Sequence, residues 1–533
     1  MGLFGLETLI AILIAIILWK IPSSLIFPKK TPYPLPPGPK GEPILGHLRV
    51  VPSDKPENAY AKWSKEYSKN SGFMYKMLEA YKATDSDVLS FNILGQPVVV
   101  LNSVQAAVDL LDKRGSNYCD RPRFVLFEVM GWGMTLTFLR WGPRFQMHRK
   151  LIQGSFTKPN CVQYQDLQES ETHVLVDGIM KNPNDWERQM RRFATAIVLG
   201  IGFGVSINDD NDPYIQMAVD ASYALGHGGA PAGTLVDFFP FIKYLPNWLA
   251  RSQSLKFARD WKWAIQQIHN APFAAVEKEI NEGTAQPSFI HTLLEGNSQR
   301  ITNGEPIIFD NDDIKGAAGA IYAAGQDTTW STLVVFILNM VLHPEIQEKA
   351  QAEIDAVAGH DRLPDFNDRP SLPYMDRIVQ ETLRWGPVSP VGVPHKSLED
   401  DVYNGMFIPK GSFVYANALA MTHDEATYAN PDTFNPDRFK PQSEGGAGEP
   451  FPIGQFGFGR RICPGRHLAE ASVWIVMVSM LATMNISKAL DENGKEIIPD
   501  VELTPGLTSH PTHFPCIFKP RSRLAEELVE DSL

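Results

Sequence analysis

Little in this chain points to a protein held by covalent staples or built to grip a polyanion. Its 533 residues contain 4 cysteines, Cys119, Cys161, Cys463 and Cys516. They have no short pairing pattern, which excludes a disulfide framework and a structural zinc site. A reducing compartment suits the bulk of such a chain. Basic residues are short: 49 Lys and Arg against 61 Asp and Glu leave a net charge of -12, which argues against a nucleic-acid partner. There is no internal repeat. Gly200-Ile201-Gly202-Phe203-Gly204 has no strand–turn–helix context that would make it a phosphate loop. Hydrophobic residues make up 44% and charged residues 21%, so the chain can bury a sizeable core, and its length suggests more than one domain.

The apolar run Leu3 to Trp19 is interrupted by Glu7 and Thr8, and it has no basic residue before it. Lys20, Lys29 and Lys30 come after it. A removed signal peptide and a retained signal anchor compete for this stretch. The trailing positive charges place the remainder of the chain in the cytosol, and no small-residue cleavage site is evident. The expectation is a transmembrane anchor over 1–30. A stiff proline-rich hinge, Pro32 to Pro43 at its centre, is expected over 31–48, and a catalytic domain over 49–533.

The stretch Phe456-Gly457-Phe458-Gly459-Arg460-Arg461-Ile462-Cys463-Pro464-Gly465 carries the most chemistry. Its glycines let the backbone turn back and approach a flat ligand closely. A helical pattern over His467 to Met484 comes directly after it. Cys463 therefore stands just ahead of a helix start, whose positive end is expected to lower the thiol pKa and favour thiolate, a soft ligand for iron. Arg461 can donate paired hydrogen bonds to a carboxylate. The bland alternative is a buried structural cysteine in a glycine-rich turn. Position by position, at Phe456, Gly457, Gly459, Arg461, Cys463 and Gly465, the stretch resembles the haem-binding loop of the cytochrome P-450 superfamily. The resemblance implies haem b, its iron ligated by the Cys463 thiolate, with Phe456 and Gly457 in the cofactor cradle and Arg461 on a propionate.

Other motifs fall in the order that this family has them. Asp312 to Leu342 reads as one long helix ended by His343-Pro344, with Ala324-Gly325-Gln326-Asp327-Thr328-Thr329 inside it. Aspartate and threonine are poor choices for a buried helix centre, and a threonine hydroxyl can bond the carbonyl four residues back and loosen the helix. The segment resembles the oxygen-binding groove, in which Thr328 holds water, Asp327 relays protons and Gly325 leaves space beside the cofactor. Gly142 to Lys150 resembles the helix whose basic residues reach a haem propionate. Arg149 is the better candidate there and His148 the weaker, and Phe145 stands where the family usually has tryptophan. Glu381 and Arg384 share a helix face, and with Arg438 they match the family's structural triad. Val388 to His395 is expected to run as a strand past the cofactor, with His395 a further propionate partner.

Hairpins are expected over Val88 to Leu101 round Gly-Gln-Pro, over Gly405 to Ala416 round Pro409-Lys410-Gly411, and over Thr504 to Cys516, whose tip at Gly506-Leu507-Thr508-Ser509 faces substrate. Aromatics within 237–246 either rim a substrate entrance or pack in the core. Ser68 to Ser86 separates a helix over Glu57 to Tyr67 from the first hairpin. It reads as a surface insertion, a membrane-contacting excursion or retained intron sequence.

The resemblance covers about Pro34 to Lys519. It implies a mainly helical triangular prism around a buried haem, with a smaller β region near the N-terminus. The expected function is a membrane-anchored monooxygenase in the endoplasmic reticulum, most like fungal secondary-metabolism members, which hydroxylates an apolar substrate such as a terpenoid. Its electrons are expected from NADPH through a separate cytochrome reductase, with cytochrome b5 as a second donor, and Arg460, Arg466 and Lys150 offer a basic docking face. Along the long helix, Ala317, Ala320 and Ala324 are expected to roof a roomy pocket. A haem carrier or gas sensor, and a haem-thiolate isomerase or peroxygenase, are the alternatives.

Overall fold

The computed structural model describes residues 31–75 and 87–533, with side chains described outside 68–86. The expected anchor over 1–30 lies outside the described residues, as do residues 76–86 of the expected insertion. The chain divides into two compact units, 1–120 with 394–417, and 121–393 with 418–533.

The first unit holds helix α1 (Pro56–Tyr75) and strands β1 (Val88–Ile93), β2 (Gln96–Leu101), β3 (His395–Lys396), β4 (Asp401–Tyr403), β5 (Met406–Ile408) and β6 (Phe413–Ala416). α1 runs past Tyr67, where the sequence pattern ends it, so the extra segment begins as a continuation of the helix. β1, β2, β6 and β3 form a four-stranded sheet in that order, with β2 parallel to β6. The first hairpin forms as expected, but its turn is Leu94-Gly95, with φ of 49° and 84°, and not Gly-Gln-Pro. Pro97 is tolerated in β2 because the pairing with β6 begins only at Val98.

The second expected hairpin is corrected. β5 pairs with β4 across Asn404-Gly405, both at positive φ, whereas β6 joins the other sheet. Asn-Gly suits the type I′ turn whose twist matches paired strands. The strand expected over Val388 to His395 is also corrected, since only His395–Lys396 is extended and paired. Pro390 and Pro394 have no N–H to give to a ladder.

The second unit is helical: α2 (Pro143–Ser155), α3 (Gln165–Lys181), α4 (Trp186–Phe203), α5 (Pro213–His227), α6 (Lys262–Glu282), α7 (Asn311–Leu342), α8 (Pro344–Ala358), α9 (Pro373–Trp385) and α10 (Arg466–Thr483), with a small sheet of β7 (Met484–Lys488) and β8 (Cys516–Pro520). α7 is the long helix expected from sequence. Asp310 caps it by accepting from the Asp313 N–H, and His343-Pro344 ends it. From Ile314 to Val341 it is buried on nearly every side, because α4, α5, α6 and α10 all pack on it. Among the described residues no single helix is long and apolar enough to cross a membrane.

Candidate active site

Local hydrogen bonds build the cysteine loop. The Cys463 N–H donates to the Phe456 carbonyl at 2.8 Å, the Arg461 N–H to Phe458 and the Ile462 N–H to Gly459. Gly457 and Gly459 take φ of 73° and 54°, which a side chain would strain. α10 starts at Arg466, so Cys463 stands just before a helix start as expected.

The expected fall in its thiol pKa is corrected. Burial pushes the Cys463 thiol above its ordinary value, and the Gly465 N–H and the Arg149 and Arg466 charges offset this only in part. The helix end and cations are present, but desolvation outweighs them. Without a metal the group is a thiol; coordination to a metal deprotonates a thiol outright.

Three arginines, two from the loop and one from α2, surround the cysteine. Arg461 is buried, donates to the Leu139 carbonyl at 2.9 Å and lies over the Phe145 ring, 3.5 Å from its centroid. Phe145 therefore replaces an indole donor with a flat face for a guanidinium. Trp141, which the sequence motifs do not single out, does the same for Arg460 at 5.2 Å. Arg149 reaches from α2 to the Ile462 carbonyl, one residue before the cysteine.

His148 diverges from Arg149. It is fully buried, and its Nε2 lies 3.0 Å from Asp313 Oδ1, so it ties α2 to the start of α7. Its other ring nitrogen, Nδ1, is buried with no hydrogen-bond partner among the described residues. His395 is buried in the first unit, with Nδ1 2.8 Å from the Tyr118 carbonyl oxygen.

Midway along α7 the Thr328 hydroxyl donates to the Ala324 carbonyl at 2.7 Å, and Thr332 repeats the pattern on Thr328 at 2.9 Å. With its proton committed, the Thr328 oxygen is left to accept from water. Ala324 is exposed and Thr328 half-buried, although Ile321, Gln326 and Thr329 around them are buried. Together with half-buried Ala323 and Gly325, this stretch opens the buried middle of the helix to space. The opening is shorter than expected: Ala317 is fully packed and Ala320 only 6% exposed, so they do not roof a pocket.

Gly325 is corrected as well. A Cβ there would sit 2.4 Å from Val198 Cγ1, so its bare backbone serves the packing of α4 on α7 and not the cofactor. Asp327 is buried at 6% exposure, with the charge of Arg191 beside it.

Beyond α7, the Leu503–Pro511 bridge closes the expected terminal hairpin, and the Thr504 N–H donates to His510. Its tip is held by Ser509 N–H to the Val388 carbonyl and by the Ser389 hydroxyl to Leu507. In the aromatic loop Tyr244 is 79% and Phe241 45% exposed, while Phe238 and Phe239 are half-buried.

The triad is assembled. Arg384 Nε and Nη2 meet the two Glu381 oxygens at 2.7 and 2.8 Å, and Arg438 Nε meets Oε1 at 3.0 Å. Sequence reasoning missed a fourth member, Glu449, 2.7 Å from Arg438 Nη1.

These residues fit a haem. A half-buried thiol bonded by a backbone N–H can serve as a metal ligand, arginines beside the loop suit carboxylates, and the opened face of α7 carries a hydroxyl.

The comparisons agree with this geometry. The family model for cytochrome P-450 matches residues 36–512. A cytochrome P-450 monooxygenase of Armillaria gallica is 38% identical over 523 residues, 97% of this chain and 98% of that protein. The monooxygenase claR of Ampulloclitocybe clavipes is 37% identical over 500 residues, 93% of this chain and 88% of its own length. A tryptamine 4-monooxygenase of Psilocybe cyanescens is 34% identical, covering 92% of this chain and 93% of that protein. A mainly helical chain whose loop cysteine suits an axial ligand thus belongs to the cytochrome P-450 family and is a monooxygenase that uses haem b, with a cysteine thiolate on the iron.

Proposed function

We propose that this monooxygenase hydroxylates an apolar secondary metabolite of terpenoid type, at the endoplasmic reticulum membrane, with electrons from NADPH passed through a cytochrome reductase. The opening of α7 at Ala324 and Thr328, in the middle of a helix buried along most of its length, is the observation that carries the reading. Haem, when bound, supplies the iron at which dioxygen is activated by two electrons. The protein's part is to supply the ligand, protons and orientation. Cys463 is the ligand. Arg461 and Arg149 hold the propionates, and Phe145 and the Ile462 carbonyl fix their planes. Thr328 accepts a hydrogen bond from water and keeps it oriented, and Asp327 next to it passes protons.

Arg460 and Lys150 are exposed close to the cysteine loop in sequence and in the α2 contact, which supports docking of an acidic reductase there, with cytochrome b5 as a second donor. Membrane attachment through an anchor over 1–30 is supported by the exposed apolar group Phe241, Tyr244, Trp248 and Leu249, which suits an interface between water and lipid.

Co-expression with a fungal reductase and a panel of terpene hydrocarbons tests the reading. Thr328→Ala should keep the red-shifted Soret band of the reduced carbon-monoxide complex, yet form more peroxide and less alcohol per NADPH. Unchanged coupling would remove Thr328 from the proton path. Exclusive turnover of polar amines would overturn the substrate class.

A further inference from the structure

Asp327 has a set of neighbours that the family reading does not use. On α4, Glu187 and Arg191 are four residues apart and share a face. On α7, Asp327 and Trp330 are three apart. The Arg191 guanidinium lies over the Trp330 ring, 3.3 Å from its centroid. His510, from the terminal hairpin, packs edge-on to the same ring, with centroids 4.5 Å apart. Further along that segment, His513 Nδ1 lies 2.7 Å from Glu187 Oε1.

Exposure falls steadily inward. The His513 side chain is 74% exposed and that of Glu187 30%. His510 is half-buried, and Asp327 is 6% exposed. Among the described residues, Arg191 Nη1 and Trp330 Nε1 are buried donors with no acceptor. Buried donors of this kind are ordinarily met by water.

The state of His510 can be derived. Its Nδ1 lies 2.8 Å from the Pro511 carbonyl oxygen, which can only accept, so Nδ1 carries the hydrogen. In the neutral ring Nε2 therefore keeps a lone pair. The charged groups around the ring are Asp327 on α7 and Arg191 and Glu187 on α4. Burial holds the imidazole below its ordinary pKa and Arg191 adds to this, while the Pro511 carbonyl, Asp327 and Glu187 oppose it. At neutral pH the ring is an unprotonated acceptor placed between the exposed His513–Glu187 contact and a buried carboxylate.

We propose that His510 is the proton inlet of this monooxygenase, taking protons from the surface at His513 and Glu187 and passing them to Asp327 through water held by Arg191 and Trp330. The proposal rests on the reading of Asp327 and Thr328 as the proton path. Each turnover converts substrate, dioxygen, two electrons from the reductase and two protons into alcohol and water. Each proton binds His510 Nε2 from surface water, leaves the same nitrogen to inner water, and is then taken up and released by Asp327. Both groups end as they began, and nothing in the protein is oxidised or reduced.

The test tracks ring-labelled histidines by NMR in the ferric holoenzyme as pH is varied, with the His510 signal assigned by its loss in His510→Gln. If the inlet exists, His510 titrates at a lower pH in Asp327→Asn, which removes a negative neighbour, and at a higher pH in Arg191→Met. A His510 titration that neither substitution moves overturns the proposal. The second measurement is peroxide formed per NADPH consumed, with a microsomal reductase and no organic substrate, from pH 5.5 to 8. His510→Gln should at least double that ratio and flatten its pH dependence. If His510→Gln lowers only thermal stability, with ratio and profile unchanged, His510 merely packs the hairpin and the proposal fails. Thr328→Ala is run beside it. Coupling lost in Thr328→Ala but kept in His510→Gln removes the inlet alone, and coupling kept in both removes the underlying proton path as well.

Discussion

Two buried ionic clusters of the second unit are built on opposite plans. In the Glu381, Arg384, Arg438 and Glu449 quartet, two cations face two anions and every guanidinium nitrogen finds an oxygen. Arg384 Nη1 takes the Thr422 carbonyl, and Arg438 Nη2 takes that of Thr433. The Asn435 N–H closes on Glu381 Oε1 at 2.7 Å. Such a network has nothing left to exchange. In the cluster of Arg191, Asp327, Trp330 and His510, donors stay open and one ring keeps a free lone pair. A saturated network resists rearrangement and so holds a fold together. An unsaturated one holds water and can move a proton.

The largest effect should come from breaking the saturated cluster. Glu381→Ala leaves Arg384 with carbonyl partners only and is expected to cost about 3–5 kcal/mol, read as loss of folded, haem-loaded protein in urea unfolding. Glu449→Ala should cost clearly less, because Arg438 keeps Glu381. Equal losses would mean that the four residues do not form the graded network described.

Acid should weaken the same region by a smaller amount. Burial, with Arg384 nearby, pushes His423 down to about 4. The unfolded chain takes up this proton near the ordinary value of about 6.5, and the folded chain does not. Stability from this group is therefore complete above about pH 6.5 and is lost as pH falls toward about 4, by up to about 3 kcal/mol. Unfolding free energy measured across that window should fall less steeply in His423→Gln. Parallel curves would show that His423 titrates normally in the folded protein.

What could be read from sequence was whatever is local. The cysteine loop, the span of α7 and the pair Glu381 and Arg384 each lie within one segment, where spacing and turn chemistry speak directly. Partners brought in from afar were silent: Glu449 to Arg438, Phe145 beneath Arg461, His510 against Trp330. Their residue types are ordinary, and only the fold joins them. The Cys463 thiol was misjudged because a helix end can be read from sequence and the depth of burial cannot. The second hairpin was misplaced for another reason. Both Asn404-Gly405 and Pro409-Lys410-Gly411 have turn chemistry, and the choice between them depends on which strand β5 finds.

The smallest effect concerns the packing that sets the open cluster's geometry. Arg191, Val198 and Gly325 lie where α4 crosses α7, and Gly325 lets the two backbones approach. Gly325→Ala would place a Cβ 2.4 Å from Val198 Cγ1. Overpacking of this kind costs about 1–3 kcal/mol, part of which the gain in helix propensity offsets. Val198→Ala in the same chain removes the opposing methyls and should recover much of the loss, a coupling that a double-mutant cycle isolates. Because the strain acts on α4, it should also move Arg191 away from Asp327 and raise peroxide per NADPH in step with the stability loss. If Gly325→Ala leaves stability unchanged but shifts the haem spectrum, the glycine serves the cofactor side of α7 after all. In that case the separation between α7's packed face and its open one would have to be redrawn.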